Sequence, residues 1–124
     1  MKLTAALAGT LLLLTPAGVA RAANMFAGPL FPTGDDNCEC EIVNVTTSAK
    51  NIQIVMIGGD GTVLADTGVI SVPAGHTATL ISGHNGSQYC KFVNASPTSF
   101  RASIACFLAG ATGAGSDFVA LPAR

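Results

Sequence analysis

Asn51-Ile52-Gln53-Ile54-Val55-Met56-Ile57-Gly58-Gly59-Asp60-Gly61 is the stretch that decides the fold class of this chain. Ile52, Ile54 and Met56 recur at every second residue, which in an extended backbone turns all three to one face. Gly58-Gly59-Asp60-Gly61 then reverses the chain, since Asp-Gly tolerates the positive φ of a hairpin loop. An alternating apolar run closed by such a turn is a half-buried strand.

Similar runs extend in both directions at roughly ten-residue spacing. Upstream, residues 39–46 carry Cys40, Ile42 and Asn44 on one face and Val43 and Val45 on the other, and the two valines look the better core pair. Residues 23–37 before it lack any period and contain Gly28, Pro29, Pro32, Gly34, Asp35 and Asp36. They are expected to form an irregular leader, with Phe26 and Phe31 laid onto the domain. Downstream, residues 62–72 make a further stretch that Gly68 kinks or bulges, and Pro73-Ala74-Gly75 turns it into residues 77–81. Asn85-Gly86 is the strongest hairpin signal of the chain and leads into residues 88–93. Ser96-Pro97 ends that strand. In residues 100–106, Phe100, Ala102, Ile104 and Cys106 then point one way and Arg101 and Ser103 the other. Small residues fill 110–115 as a loop, and 118–121 form a short last strand ended by Pro122.

The pattern amounts to about seven strands, with no helical period after residue 22. Short alternating strands bury one face each, so two antiparallel sheets packed face to face are expected. Over residues 38–122 this architecture resembles an immunoglobulin-like β-sandwich, although the chain has no Trp to play the part of the buried one in antibody domains. A small β-barrel is the alternative. The expected organisation is a signal peptide at 1–22, a leader at 23–37 and the sandwich domain at 38–124.

The N-terminus carries the export signal. Lys2 precedes an apolar run over residues 3–14, Pro16 and Gly18 break it, and Ala20-Arg21-Ala22 places small residues at the two positions a signal peptidase examines. Cleavage is expected between Ala22 and Ala23. The run is too short for a bilayer core of about 30 Å, and no later segment is long and apolar enough, so no transmembrane anchor is expected after processing. Ala23 is not a cysteine, so lipid attachment at the new N-terminus is not expected.

Processing leaves 102 residues, enough for one domain. They hold four basic and seven acidic residues, a net charge of −3. Such a surface offers no basic footprint for nucleic acid or anionic lipid. All four cysteines, Cys38, Cys40, Cys90 and Cys106, follow the signal, so two disulfides in an oxidising compartment, secreted or periplasmic, are expected. A zinc site is the alternative, but only Cys38 and Cys40 are close in sequence, and the ligand spacing fits poorly. If residues 39–46 play strand B and 88–93 strand F of the sandwich, Cys40 pairs with Cys90 across the sheets. Cys38 then pairs with Cys106 by elimination. The rival is Cys90–Cys106 across the Ser96-Pro97 turn, and Cys40 meets its partner only if a bulge offsets the inward valines.

Candidate chemistry is thin. A cupredoxin-type copper site needs His and Met soon after a Cys, and neither Cys90 nor Cys106 is followed by them. His76 and His84 flank one strand about 26 Å apart if it is extended. There is no Gly-x-Ser-x-Gly nucleophile motif. Asp35-Asp36 falls in the leader, where nothing desolvates the pair, and Glu39 and Glu41 alternate on a solvent face, where a charge pair is ordinary solvation. The 110–115 loop lacks the lysine of a phosphate-binding loop. Asp60 alone does not make a calcium site. Asn44, Asn85 and Asn94 each begin an Asn-x-Ser/Thr triplet, the frequency chance gives in a chain rich in Ser and Thr. No catalytic, metal or cofactor site is expected. The expected function is a non-catalytic binding, accessory or envelope-associated module with an envelope or extracellular protein as its partner. A structural subunit assembling through an exposed edge strand at 118–121 is the second class. A small secreted enzyme is the third, and requires a pocket that brings His76 or His84 beside an acid or a thiol.

Overall fold

The computed structural model describes residues 23–31, 36–108 and 119–122. The expected signal peptide, the Ala22 side of its cleavage site, Asp35 and the 110–115 loop lie outside these residues. Among the described residues there are eight strands: β1 (Met25–Leu30), β2 (Asp36–Asn44), β3 (Lys50–Gly58), β4 (Val63–Val72), β5 (Thr77–Gly83), β6 (Gln88–Val93), β7 (Phe100–Leu108) and β8 (Val119–Pro122). They form two four-stranded antiparallel sheets, β1-β6-β3-β4 (sheet I) and β5-β2-β7-β8 (sheet II), packed as a β-sandwich.

Alternation builds the core from both sides. Ile52, Ile54 and Met56 of β3 point inward with Phe92 and Cys90 of β6 and Met25 and Ala27 of β1. Cys38, Cys40 and Ile42 of β2 and Phe100 and Ile104 of β7 close the core from sheet II. Burying each Ile or Phe contributes about 1.5–3 kcal/mol, and these side chains supply most of the favourable term.

Four features differ from the sequence reading. The leader is not irregular throughout: Met25, Ala27 and Leu30 alternate well enough to pair β1 with β6, opposite Phe92, Cys90 and Gln88. Gly28 lets this strand lie close on its neighbour, because a Cβ there would sit 3.1 Å from that of Tyr89 and the φ is +103°. The domain accordingly begins before residue 38.

In β2 the inward face is Cys38, Cys40, Ile42 and Asn44, whereas Val43 is half-buried and Val45 exposed. No bulge offsets Cys40, and its register with Ile104 and Leu80 is continuous. Asn44 can occupy the core end because its amide is used up. Its Nδ2 donates to the carbonyls of Ser48 (2.8 Å) and Val72 (2.9 Å), and its Oδ1 accepts from the Thr46 amide and hydroxyl. Burial of a polar group costs little once it is satisfied in this way.

Asn85-Gly86 makes its turn, with Gly86 at φ +114°, but the turn is not a hairpin. It carries the chain from β5 in sheet II to β6 in sheet I. The segment containing Ser96-Pro97 likewise crosses between sheets, so β6 and β7 are not neighbours and Cys90 does not lie beside Cys106. The β3–β4 turn is a true hairpin, held by Gly58 N to Thr62 O (2.8 Å) and by Thr62 N to Asp60 Oδ1 (2.9 Å). Register slips at Thr67-Gly68 of β4, where Gly68 has φ +62° and Thr67 Oγ1 accepts from Ile54 N at 3.0 Å.

In immunoglobulin terms β2, β3, β4, β5 and β6 occupy the places of B, C, C′, E and F. The outer places are exchanged: β1 stands beside F where G belongs, and β7 stands beside B where A belongs. The first and last strands are thereby both paired into the sandwich.

Candidate functional site

The cysteines are all oxidised. Cys40 and Cys90 join the facing sheets with Cα atoms 5.8 Å apart, and Cys38 and Cys106, directly opposite on β2 and β7, are joined with Cα atoms 4.0 Å apart. No thiol is free for catalysis or metal binding. Two disulfides are the chemistry of a chain that folds in an oxidising compartment. Beside the second bridge lies buried Gln88, which sequence reasoning did not single out. Its Nε2 donates to Cys38 Sγ (2.9 Å) and to His84 O (3.2 Å), while its buried Oε1 meets no donor among the described residues. An inward Gln on an alternating strand leaves no signature in sequence that separates it from an outward one.

Of the other expected candidates, His84 lies near enough to Asp60 for its charge to help lower that carboxyl's pKa, and the rest are not gathered into one site. His76 and His84 are exposed at opposite ends of β5. Glu39 and Glu41 lie on the outer face of sheet II, where their register neighbours are Ile81 and Ala105, and Thr79 and Ser103. Beside Glu41 is a shallow depression of about 230 Å³ lined by Val43, Arg101, Ala102 and Ser103. Asp60 serves the hairpin, and the Thr62 amide and hydroxyl bound to it hold its carboxyl below the ordinary range. Asn44 is buried and cannot carry a glycan, whereas Asn85 and Asn94 are exposed. Among the described residues no group of three His, Cys, Asp or Glu side chains could hold a metal ion, and no helix is long and apolar enough to cross a membrane.

What the fold does assemble is an apolar surface. Outward residues of sheet I fall into rows that run across the strands, the endmost being the polar pair Asn51 and Ser71. Tyr89, Ile57 and Val63 form one row; Phe26, Lys91, Val55 and Asp66 form the next; Val93, Gln53 and Val69 form the third. Val69 is 69% exposed and Val63 58%, and Phe26 is also largely exposed. Val55 is only 8% exposed although its register places it on the outer face and it does not join the core cluster. Asp66 is the one acid of the three rows. Gln53 Nε2, 2.9 Å from both of its oxygens, and the Gly68 amide at 2.7 Å hold its carboxyl below the ordinary range. Sheet II presents Glu39, Glu41, Thr77, Thr79, Arg101 and Ser103 outward, with exposed Ile81 and half-buried Val43, Ala105 and Phe107 as its apolar members.

No family model matches this chain, and no curated protein matches it. Among solved structures it is similar to the crystal structure of Thermotoga maritima 1070, with a TM-score of 0.51 and 12% identity over 83% of this chain and 93% of that one. At that identity the likeness is one of fold.

Proposed function

We propose that this chain is an exported, non-catalytic interaction module that works in the periplasm or outside the cell, through the outer face of sheet I. The observation that carries this reading is the contrast between the two outer faces. On the outer face of sheet I the apolar Val63, Val69, Phe26, Ile57 and Tyr89 outnumber the polar Lys91, Asp66 and Gln53 set among them, while the other face carries Glu39, Glu41 and several hydroxyls beside Val43, Ile81 and Phe107. Solvent-facing strands ordinarily alternate to polar residues, and a contiguous apolar patch on a soluble domain marks a protein contact. Export is supported by the signal pattern at 1–22 and by the two disulfides, and processing between Ala22 and Ala23 is checked by the intact mass of the exported protein.

A photo-crosslinking residue placed at Val69 or at Thr79 tests the reading in the exporting host. Protein adducts from position 69 and none from 79 are expected. Silence at 69, or equal labelling from both positions, overturns it. The second reading is assembly through an edge strand, favoured by the position of β8 at the rim of sheet II. It requires adducts from β8 and none from position 69.

A further inference from the structure

We infer that the Cys38–Cys106 bridge is a thiol-exchange site, at which Cys106 takes up an incoming thiol as a mixed disulfide and Cys38 departs as a thiolate held by Gln88. The site lies between the sheets and does not depend on the outer face of sheet I.

Exposure fixes which sulfur is attacked. Cys38, Cys40 and Cys90 are fully enclosed, whereas Cys106 keeps part of its surface in solvent. An attacking thiolate must reach a sulfur of the bridge. Of the two disulfides the Cys38–Cys106 one is therefore open to attack, and only through Cys106. The bond that forms joins the incoming sulfur to Cys106 Sγ. The bond that breaks is the one between Cys106 Sγ and Cys38 Sγ, and its electron pair leaves on Cys38. The incoming thiol is oxidised and Cys38 is reduced, so the step needs no further oxidant or reductant.

A thiolate released into a dry interior is costly unless a donor awaits it. Gln88 supplies that donor. Its Nε2 donates to Cys38 Sγ at 2.9 Å and to His84 O at 3.2 Å. Turning the amide over would set Oε1 against His84 O, so the second bond fixes which end of the side chain faces the sulfur. A disulfide sulfur is a weak acceptor and a thiolate a strong one, so the hydrogen bond strengthens as the S–S bond breaks. An interaction that is stronger in the transition state than at rest speeds the step. The same role accounts for a glutamine in the core. Gln88 is fully buried and its Oε1 meets no donor among the described residues, at a position where Leu or Met would leave nothing unpaired.

The fold also returns the site to its closed form. Register between β2 and β7 runs unbroken from Asp36 opposite Leu108 to Asn44 opposite Phe100, and Cys40–Cys90 still ties the sheets. Opening one bridge therefore leaves Cys38 beside Cys106. Cys38 then attacks Cys106 Sγ, the mixed disulfide breaks, and the incoming thiol leaves. Because Cys106 is only partly exposed, the substrate class is a low-molecular-weight thiol, and glutathione is the probe.

For the test, the exported, oxidised protein is incubated with reduced glutathione, quenched in acid and mapped by mass spectrometry without reduction. A glutathione adduct on Cys106 is expected, with Cys38 recovered as the free thiol and Cys40–Cys90 intact. An adduct on Cys38, opening of Cys40–Cys90 as early as of Cys38–Cys106, or a bridge that glutathione leaves closed overturns the assignment. Gln88→Leu and Gln88→Glu examine the amide, the first by removing the donor and the second by setting an acid beside the thiolate. Opening by dithiothreitol is followed at both bridges of each variant, and circular dichroism confirms the fold. The rate at Cys38–Cys106 relative to that at Cys40–Cys90 is expected to fall about tenfold. This ratio is the readout because a general loosening of the fold speeds both bridges together. A ratio that either variant leaves unchanged overturns the part assigned to Gln88.

Discussion

The two sheets of this sandwich have the same strand number and equally dry inner surfaces, yet their outer surfaces follow different rules. Sheet II obeys simple alternation: Cys40, Ile42 and Ile104 inward, Glu39, Glu41 and Ser103 outward. Sheet I carries apolar side chains on both faces, although Lys91, Asp66 and Gln53 share the outer one. Phe92 and Ile54 point in, while the flanking Val93 and Val55 point out. A strand that is apolar on both sides belongs between two layers, and among the described residues only one layer packs on sheet I. Inward packing leaves Phe26, Val55, Val63, Val69 and Val93 outward on sheet I, against Val43, Ile81 and Phe107 on sheet II.

The comparison breaks most severely at the inner face. Phe92→Ala removes a fully buried ring from between the sheets and should cost about 3–5 kcal/mol. Val93→Ala, one residue on and facing outward, should cost under about 1 kcal/mol. Urea unfolding of the oxidised proteins measures both. Similar losses at the two positions would mean that the outer face is as tightly packed as the core.

The disulfides come next, since one joins the two sheets and the other lies within sheet II. Loss of Cys40–Cys90 through the double replacement Cys40→Ala, Cys90→Ala leaves Cys38–Cys106 in place. The loop then at stake runs through residues 38–40 and 90–106, about 18 residues, which corresponds to about 3 kcal/mol of unfolded-state entropy. Removing Cys38–Cys106 opens the same loop, so entropy alone makes the two bridges equal. Burial separates them. Cys40 and Cys90 are both fully enclosed, while Cys106 is half-exposed, so the inter-sheet pair should cost more and should resist reductant longer. Mass spectrometry of alkylated protein during mild reduction is expected to show Cys106 labelled before Cys90.

Periodicity exposed much of this in the sequence. The inward sets of β3 and β7 and the irregularity at Gly68 follow from residue spacing, because alternation needs only the extended backbone. Which of two apolar faces packs is a tertiary matter. In β2 the valines at 43 and 45 are more apolar than the Cys40–Ile42–Asn44 face, and the choice went against them. The inter-sheet disulfide, together with the bonds of Asn44 to Val72 in the opposite sheet and to Ser48 in the β2–β3 loop, decides it. Asn85-Gly86 supplies a positive φ whether the next strand joins the same sheet or the facing one, so the dipeptide marks a turn and leaves its type open. The apolar patch stayed hidden for a related reason. Tyr89, Ile57 and Val63 come from three strands and become one row only when register is known.

Outer-face substitutions should leave stability nearly unchanged and alter association alone. Val69→Lys and Thr79→Lys both place a charge on exposed strand positions, and each should shift unfolding by no more than about 0.5 kcal/mol. Their effects part in solution: Val69→Lys should abolish contacts made by sheet I, and Thr79→Lys should have none. Equal behaviour of the two in sedimentation would erase the distinction between the faces.

The smallest effect concerns the bulge that shapes the edge of sheet I. Asp66 accepts from Gln53 and from the Gly68 amide, and both bonds favour its ionised form, so its pKa lies below the ordinary carboxylate value of 3.8. A group with a depressed folded pKa binds its proton less readily in the native state than in the unfolded chain. Its contribution to stability is therefore complete above the ordinary value, declines as pH falls through the folded one, and is gone below both. Asp66→Asn keeps an oxygen for the Gly68 amide but never carries the charge. The two proteins should differ slightly in melting temperature near about pH 6 and converge near about pH 2. Asp60, which is also depressed, is present in both and cancels from the difference. Carrying out the comparison in a Val63→Lys background removes any contribution from contacts across the sheet I face. A gap that persists undiminished in acid would show that the introduced amide perturbs the bulge by its shape and that the carboxylate charge plays no part in holding it.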